Sequence, residues 1–246
     1  MEIAVNNVKK YYKENKAVDD ISFSVRKGEV YGIIGPNGAG KTTLMEMMLG
    51  LRRQDSGTIT THGMDSIKDH KKLVYHVGAQ LQESDLPVNI KVREAIHLQA
   101  ALFHKKADTA ELLRTFNLEE KAGAYCSRLS GGQRQALTLL MATMNPPKLL
   151  LLDEHTAALD PGTAEKVLNL TSRIVEEHHL TCLMITHNMQ SALELGNRIL
   201  MMDSGDIVLD IKEEEKKGLT VEGLLDKFKV GAGKKLDNDR ILLSNE

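Results

Sequence analysis

A glycine-rich segment near residue 35 has the residue types and the spacing needed to hold phosphate. Residues 35–42 match the pattern G-x-x-x-x-G-K-[ST], directly after an apolar run and before a helical pattern. The glycines let backbone N–H groups turn towards phosphate oxygens, the lysine adds a positive charge, and the threonine hydroxyl can take a Mg²⁺ position. The predicted phosphate-binding residues are Gly35, Pro36, Asn37, Gly38, Ala39, Gly40, Lys41, Thr42 and Thr43.

An acidic pair supplies the carboxylates that such a loop requires. Asp153 and Glu154 follow a run of four leucines, residues 149–152. Asp153 is predicted to lie on the Mg²⁺ side, and Glu154 to act as a general base or to position the attacking water. Successive strand residues point to opposite faces, but the chain opens at the carboxyl end of a strand, so both carboxylates can serve one site.

A third motif, Leu-Ser-Gly-Gly-Gln-Arg-Gln at residues 129–135, has the form of a helix start. Ser130 and Gln133 have the spacing of a capping box, and Gly131 and Gly132 leave the helix N-terminus uncovered. Such an end attracts anions. Taken alone, the motif predicts only the beginning of a helix.

Together and in this order, the three motifs resemble the nucleotide-binding subunits of ATP-binding cassette (ABC) transporters, over about residues 1–210. The resemblance implies an ATPase that uses ATP and Mg²⁺ and works as a head-to-tail homodimer or a pair of such subunits. In that pair, Ser130, Gly131, Gly132 and Gln133 of one copy close on the ATP held by the other copy. It also implies a separate integral membrane permease, driven through a groove beside Gln82, and a location at the cytoplasmic face of the cell membrane.

The resemblance assigns three more site residues. Tyr12 is similar to the aromatic residue that stacks on adenine, with Tyr11 as the alternative. Gln82 is similar to the glutamine that reaches Mg²⁺ and water, with Gln80 as the alternative. His187 is similar to the switch histidine that contacts the γ-phosphate. The implied catalytic set is therefore Glu154, His187, Gln82 and Lys41, with Thr42, Gln82 and Asp153 at the metal.

The segment after the acidic pair both follows and departs from the family pattern. Residues 157–160 resemble the loop that touches the second copy. His155 stands where the family usually has proline, which frees φ and introduces a group that could titrate near neutral pH. We expect this histidine to pack locally or to contact a loop, and we assign it no catalytic role.

The two halves of the chain resemble different subfamilies. Residues 1 to about 128 are similar to ATPases of drug and antibiotic export, and residues from about 136 onward to ATPases of aromatic amino acid uptake. A hybrid of the two or an intermediate lineage would both give this pattern.

Apolar periodicity predicts the elements that position these motifs. Strands are predicted at 21–25, 30–34, 57–60, 74–77, 149–153, 182–186, 199–202 and 206–210, and helices at 42–51, within 92–116, from 161 through 168–175, at 192–195 and at 221–228. This alternation predicts an α/β fold with a mostly parallel sheet. The resemblance adds a P-loop NTPase core of ABC type, a small antiparallel β subdomain and a helical subdomain inserted at about 86–135. Residues 211–246 are predicted to form a charged connector, a short helix and a polar tail.

Composition and charge exclude several classes of protein. The 32 Lys+Arg and 34 Asp+Glu residues give a net charge of −2. The chain therefore lacks the excess of basic residues that would indicate nucleic acid as a partner. The longest apolar run is far shorter than the roughly 18 residues of a membrane-spanning helix. The two cysteines lack CxxC spacing, and the first residues lack a signal-peptide pattern, so we expect a cytoplasmic protein.

These features predict the motor subunit of a transporter, because one nucleotide-binding unit without membrane helices needs a partner to act on. Export is favoured over uptake, since the permease-contacting region lies in the half that resembles exporters. The alternatives are an amino acid uptake ATPase and a soluble ABC ATPase of the iron–sulfur assembly type.

Overall fold

A computed structural model describes residues 2–82, 86, 89–104, 106–157 and 159–231. The strands within these residues are β1 (Ile3–Tyr12), β2 (Asn15–Val25), β3 (Val30–Ile34), β4 (Ser56–Thr61), β5 (Met64–Asp65), β6 (Val77–Gln80), β7 (Leu149–Asp153), β8 (Thr181–Ile185), β9 (Arg198–Asp203) and β10 (Asp206–Ile211). The α-helices are α1 (Lys41–Met48), α2 (His70–Leu73), α3 (Val92–Leu102), α4 (Thr109–Thr115), α5 (Gly131–Thr143), α6 (Pro161–Glu177), α7 (Met189–Leu195), α8 (Glu213–Lys216) and α9 (Val221–Gly231).

Two sheets organise the chain. An antiparallel sheet has the order β2-β1-β4-β5, and a six-stranded sheet has the order β10-β9-β3-β8-β7-β6. In the larger sheet every pairing is parallel except that of β9 with β10. The α/β fold with a mostly parallel sheet and a separate antiparallel sheet is therefore confirmed.

Helix α1 lies in the apolar core that joins the two sheets. Leu44, Met45, Met47 and Met48 are all fully buried there, together with side chains of β1, β2, β3, β7 and β8. A helix packed between two sheets needs a wide apolar face, which its leucine and three methionines supply, while Thr42 and Glu46 lie outside that face. The residues at the start of α1 are therefore held from both sheets at once.

Two further apolar clusters complete the packing. One contains buried residues of α3, α5 and α6 together with β7 and β8. The other contains residues of α7, α9, β9 and β10, with Leu224, Leu225 and Phe228 as the buried face of α9. The predicted helix at 221–228 is thus present and packs on the sheet, while residues 232–246 of the predicted tail lie outside the described residues.

Several predicted elements differ from those observed. The strand predicted at 74–77 begins only at Val77, because Val74 and Tyr75 are exposed and lie in a turn after α2. The helical pattern at 92–116 is two helices, since the Asp108 carboxylate accepts hydrogen bonds from the backbone of residues 110 and 111 and starts α4 anew. The helix predicted at 42–51 ends at Met48. No strand was predicted for β1, which pairs with both β2 and β4.

Candidate active site

The predicted catalytic residues meet at one edge of the larger sheet. The phosphate-binding loop follows β3, Asp153 ends β7, Gln82 comes two residues after β6, and His187 two residues after β8. Because these four strands are parallel, their carboxyl ends lie side by side, which is where ligands bind in open α/β sheets. The topology therefore brings together residues that lie more than 150 positions apart in the chain.

Gly40 gives the phosphate loop its form. Its φ is +96°, and a Cβ there would lie 1.9 Å from the Ala17 carbonyl oxygen, so only glycine fits. As the N-cap of α1 it has no side chain that could bond the first helical N–H groups. Those donors and the helix dipole remain available to an anion such as a phosphate.

Lys41 folds back onto this loop. Its Nζ donates to the Gly35 and Pro36 carbonyl oxygens at 2.9 and 3.0 Å and lies 4.0 Å from a Glu154 carboxylate oxygen. The side chain is 5% exposed, and burial lowers the pKa of its ammonium group, although the carboxylates of Glu154 and Asp153 counteract the shift. A phosphate could replace these carbonyl oxygens as the acceptor of the Lys41 hydrogen bonds.

Asp153, the last residue of β7, is a fully buried carboxylic acid. It is 0% exposed, and neither carboxylate oxygen has a hydrogen-bond partner of ordinary geometry among the described residues. Burial raises its pKa to about 6, although the nearby Thr42 hydroxyl and Lys41 ammonium lower it. A buried carboxylate without partners fits a bound cation, so the residues present are compatible with Mg²⁺.

The protein would supply few metal ligands. The described residues contain no group of three His, Cys, Asp or Glu side chains that could hold a metal ion. A Mg²⁺ ion would then depend on Asp153, the Thr42 hydroxyl, the Gln82 side chain, nucleotide phosphates and water, which is its usual mode of binding beside phosphates.

Replacing Asp153 by asparagine should stabilise the metal-free protein. Since the pKa of Asp153 is raised by folding, its ionisation lowers the free energy of unfolding as pH rises from about 4 to about 6. D153N has no carboxylate to ionise, so we expect its free energy of unfolding to exceed that of wild type by about 2–3 kcal/mol at pH 7.5. This difference should disappear near pH 4. Urea unfolding in EDTA at both pH values measures it. D226N, on an exposed part of α9, is the control, and equal stability of D153N and wild type at pH 7.5 would contradict the expectation.

Glu154 is turned towards the same site by its backbone. Its φ is +46°, an unusual left-handed conformation for a residue with a side chain, and this breaks the alternation of β7. The Gln82 Nε2 donates to a Glu154 carboxylate oxygen at 3.0 Å, and the His187 Nδ1 lies 3.9 Å from the other oxygen. The His187 ring and the Lys41 ammonium lower the pKa of Glu154 against the effect of burial. Glu154 is therefore ionised at neutral pH and able to accept a proton.

A cleft of about 390 Å³ opens above these groups. It is lined by residues 37–43 of the phosphate loop and α1, by Tyr12, Gln82 and Glu154, and by two residues of β2, Asn15 and Ala17. No pattern in the sequence marked Asn15 or Ala17 as site residues. They reach the cleft because the hairpin of β1 and β2 pairs Tyr12 with Asn15, a register that their residue types do not reveal.

The structure places the two tyrosine candidates, and the two glutamine candidates, in different surroundings. Tyr11 points away from the cleft and its hydroxyl donates to Asp19 at 2.5 Å, whereas Tyr12 lines the cleft. Gln80 is buried, where its amide donates to the Thr138 hydroxyl at 2.6 Å, whereas Gln82 lies beside Glu154. The placement agrees with the choice of Tyr12 and Gln82.

The motif at residues 129–135 does not line this cleft. It begins α5 with the predicted capping box, in which the Gln133 N–H donates to the Ser130 hydroxyl at 3.4 Å and the Ser130 N–H donates to the Gln133 side chain at 3.1 Å. Ser130 and Gly131 are exposed. Within one chain, these residues are therefore separate from the site formed by the phosphate loop.

Gly132 is required by the packing of α5 against α6. A Cβ at this position would lie 2.2 Å from the Thr163 Cγ2 atom in the first turn of α6. We expect G132A to lower the free energy of unfolding by about 1–3 kcal/mol, as overpacking does. Thermal or urea unfolding measures the loss.

The matched second change is T163S, which removes the obstructing methyl group. The double variant should regain the stability that G132A alone loses, because serine keeps the hydroxyl and lacks Cγ2. A double variant as unstable as G132A would show that the contact with Thr163 is not the cause.

His155 is buried, as packing locally would require, but it does not titrate near neutral pH. It is 2% exposed, burial lowers its pKa to about 4, and its Nε2 lies 3.4 Å from the Thr171 hydroxyl on α6. A histidine could have titrated here near neutral pH, but burial of this position disfavours the charged imidazolium. In the neighbouring segment, Asp160 caps α6, and its carboxylate accepts from the Thr163 N–H at 3.0 Å. Ala158 lies outside the described residues.

Comparison with known proteins agrees with this geometry. A tyrosine transport ATP-binding protein of Clostridioides difficile is 39% identical over 234 residues, covering 89% of this chain and 93% of its own length. A methionine import ATP-binding protein of Bacillus thuringiensis is 38% identical over 84% of this chain, which spans only 65% of that longer relative. The alignment with the tyrosine transport protein runs across both halves of the chain. A single lineage is therefore sufficient to account for the sequence, without a hybrid of two subfamilies.

Solved structures give the same result. The ATP-binding cassette MJ0796, a dimer in a post-hydrolysis state bound to ADP and Pi, has a TM-score of 0.77 at 26% identity and covers 86% of this chain and 98% of its own. The cassette MJ1267 has a TM-score of 0.78 at 28% identity, covering 93% and 98%. The ABC transporter family model matches residues 18–157. The chain thus belongs to the ATP-binding, ATP-hydrolysing subunits of the ABC transporter family.

Proposed function

We propose that this ATPase drives the uptake of an amino acid through a separate membrane permease. Its relatives are named for tyrosine transport and methionine import, and the comparisons give no support to the export that the sequence favoured. Among the described residues, no helix is long and apolar enough to span a membrane. In this proposal the chain binds the permease at the cytoplasmic face of the membrane and binds no nucleic acid.

The uptake of an amino acid is supported by these relatives, and the binding of a permease is supported by an exposed apolar groove beside the catalytic cleft. The groove has a volume of about 310 Å³ and is lined mainly by aliphatic side chains, among them Leu51, Leu73, Val74 and Leu81. Leu51 is 57% and Val74 43% exposed, so the apolar surface is open to a partner. A short amphipathic helix of a membrane protein would fill such a groove.

The groove is connected directly to the catalytic carboxylate. Leu81 lies in its lining and the next residue, Gln82, donates a hydrogen bond to Glu154. A partner that shifts Leu81 would therefore shift the Gln82 amide at the site of hydrolysis. This adjacency supports a coupling between an occupied groove and ATP turnover.

We assign each side chain in and beside the cleft a role from the family resemblance and from its position. The Tyr12 ring would stack on the base, the loop amides and Lys41 would hold the phosphates, and Asp153, Thr42 and Gln82 would hold Mg²⁺. Mg²⁺, when bound, neutralises charge on the phosphates. Glu154 accepts the proton of the attacking water, and His187, close to Glu154, contacts the γ-phosphate.

The site is completed by a second copy in a head-to-tail dimer. Ser130, Gly131, Gly132 and Gln133 lie away from the cleft of their own chain, and their exposed helix start suits the phosphates of a nucleotide on another chain. Binding of two ATP molecules then closes the dimer, and hydrolysis opens it.

The test is capture of the partner from membranes. Tagged E154Q protein, loaded with ATP, is incubated with detergent-solubilised membranes of the source cell, and bound proteins are identified by mass spectrometry. We expect a protein with several membrane-spanning helices. Soluble partners alone would instead indicate a scaffold-assembly ATPase of the iron–sulfur type.

A second variant tests the groove itself. V74D in the E154Q background should lose the membrane partner but keep ATP binding, because Val74 lies in the groove and not in the cleft. V230D is the matched control, since Val230 is 84% exposed on α9 and lies outside the groove. Equal capture by V74D and V230D would contradict docking in this groove.

A further inference from the structure

Two cationic side chains lie over the ring of Tyr12. The Arg52 guanidinium carbon is 5.3 Å and the Lys10 ammonium nitrogen 5.6 Å from the ring centroid. Both distances are within the range of cation–π attraction. Tyr12 lines the cleft, whereas Arg52 and Lys10 do not, so the cations contact the ring without occupying the nucleotide space.

Each cation is itself held in place by an acid. The Arg52 Nε donates to a Glu46 carboxylate oxygen at 2.6 Å, and the Arg52 backbone N–H donates to the Glu46 carbonyl at 3.2 Å. The Lys10 ammonium donates to Asp55 at 2.7 Å. Because Arg52 is fixed at both its backbone and its side chain, its position over the ring is well defined.

The Glu46–Arg52 pair joins the ring to the helix that starts the phosphate site. Glu46 lies in α1, the helix that begins with Lys41 and Thr42. The Tyr12 ring, at the end of β1, is 38% exposed, so little packing restricts its rotation on the cleft side. Because this pair links α1 to the ring, it fixes the distance between the ring face on which a base can stack and the start of α1, where phosphates can bind.

From this arrangement we propose that Arg52 is a positioning residue, which holds the Tyr12 ring as a preformed stacking surface for the nucleotide base. The inference rests on the proposed role of Tyr12 as the base-stacking residue. Holding the ring in one orientation before binding reduces the entropy lost when the base stacks on it. Lys10 assists from its own ion pair. Arg52 does not touch the nucleotide and acts only through Tyr12.

The test separates binding of the base from binding of the phosphates. R52M keeps most of the side-chain length but removes the charge, and R52K restores a cation. Calorimetry with ATP and with inorganic tripolyphosphate, which has no base, gives the two affinities. We expect R52M to weaken ATP binding roughly 3- to 5-fold more than it weakens tripolyphosphate binding, and R52K to recover part of that difference. R53M, at the exposed neighbouring arginine, should leave both affinities unchanged.

A double variant identifies the route of the effect. Y12A alone should weaken ATP binding by about tenfold or more, as loss of a base–aromatic stack does. Adding R52M to Y12A should then cause no further loss.

Three results would overturn the proposal. One is equal weakening of ATP and tripolyphosphate by R52M, and another is a full R52M effect in the Y12A background. The third is unchanged ATP binding by R52M while Y12A weakens it. If Y12A itself leaves ATP binding unchanged, the stacking role of Tyr12 fails and the inference with it, whereas the roles proposed for the phosphate loop stand.

Discussion

Exchanging Glu154 for glutamine should nearly abolish ATP turnover while ATP still binds. The amide keeps the length of the side chain and an oxygen that can accept the hydrogen bond from Gln82, which the carboxylate accepts at 3.0 Å. It cannot accept a proton from water. Since general-base catalysis contributes about 10²- to 10⁴-fold, we expect kcat to fall by at least about 100-fold. Phosphate release measures turnover, and calorimetry measures ATP affinity.

The same variant should accumulate as a closed dimer with ATP. Hydrolysis is the step that reopens the dimer in the proposed cycle, so blocking it traps the closed form. Light scattering with and without ATP detects the trapped state. E165Q, at an exposed position of α6, is the matched control and should hydrolyse ATP as wild type does. Turnover near the wild-type level in E154Q would remove Glu154 from the mechanism.

The parts of the site that sequence could predict are those encoded by contiguous residues. The phosphate loop follows a fully apolar strand, and the Asp153–Glu154 pair ends another, so a strand with both faces buried marked each motif. The Ser130–Gln133 capping box is also local, because its two hydrogen bonds join residues three positions apart. Local patterns of this kind do not depend on the rest of the fold.

The parts that sequence did not predict depend on contacts between distant segments. Asn15 enters the cleft through the register of a hairpin, and Arg52 reaches the Tyr12 ring through the path of the chain after α1. Neither position has a residue type that indicates its role. His155 shows the same limit, since only the packing of α6 over the end of β7 decides that an imidazole there stays neutral.

The prediction of a strand at 74–77 was wrong for a related reason. Val74 and Tyr75 are typical strand residues, yet both are exposed, and Val74 lines the groove beside the cleft. Apolar residues that serve a binding surface cannot be distinguished by periodicity from those of a core. The error therefore coincides with the surface that we propose binds the permease.

Substituting Lys41 with alanine should weaken ATP binding far more than it affects stability. Among the residues that the structure describes, the ammonium group donates to the Gly35 and Pro36 carbonyl oxygens of the loop; it lies near Glu154 and is almost fully buried. Removing a charge-assisted contact to phosphate is expected to cost roughly 10- to 100-fold in affinity. Calorimetry with ATP measures this loss directly, and unchanged affinity would contradict the assignment of residues 35–43 as the phosphate site.

The stability of the same variant decides between a binding role and a structural role for Lys41. Burial lowers the pKa of this ammonium group, so its positive charge destabilises the folded, nucleotide-free protein. K41A removes this destabilising charge together with two hydrogen bonds to the loop, and because the two effects oppose each other we expect the free energy of unfolding to change by no more than about 1 kcal/mol. K227A, on the exposed face of α9, is the control for both measurements. If K41A instead lost stability and kept its affinity for ATP, the lysine would act only by holding the loop, and its proposed contact with phosphate would have to be abandoned.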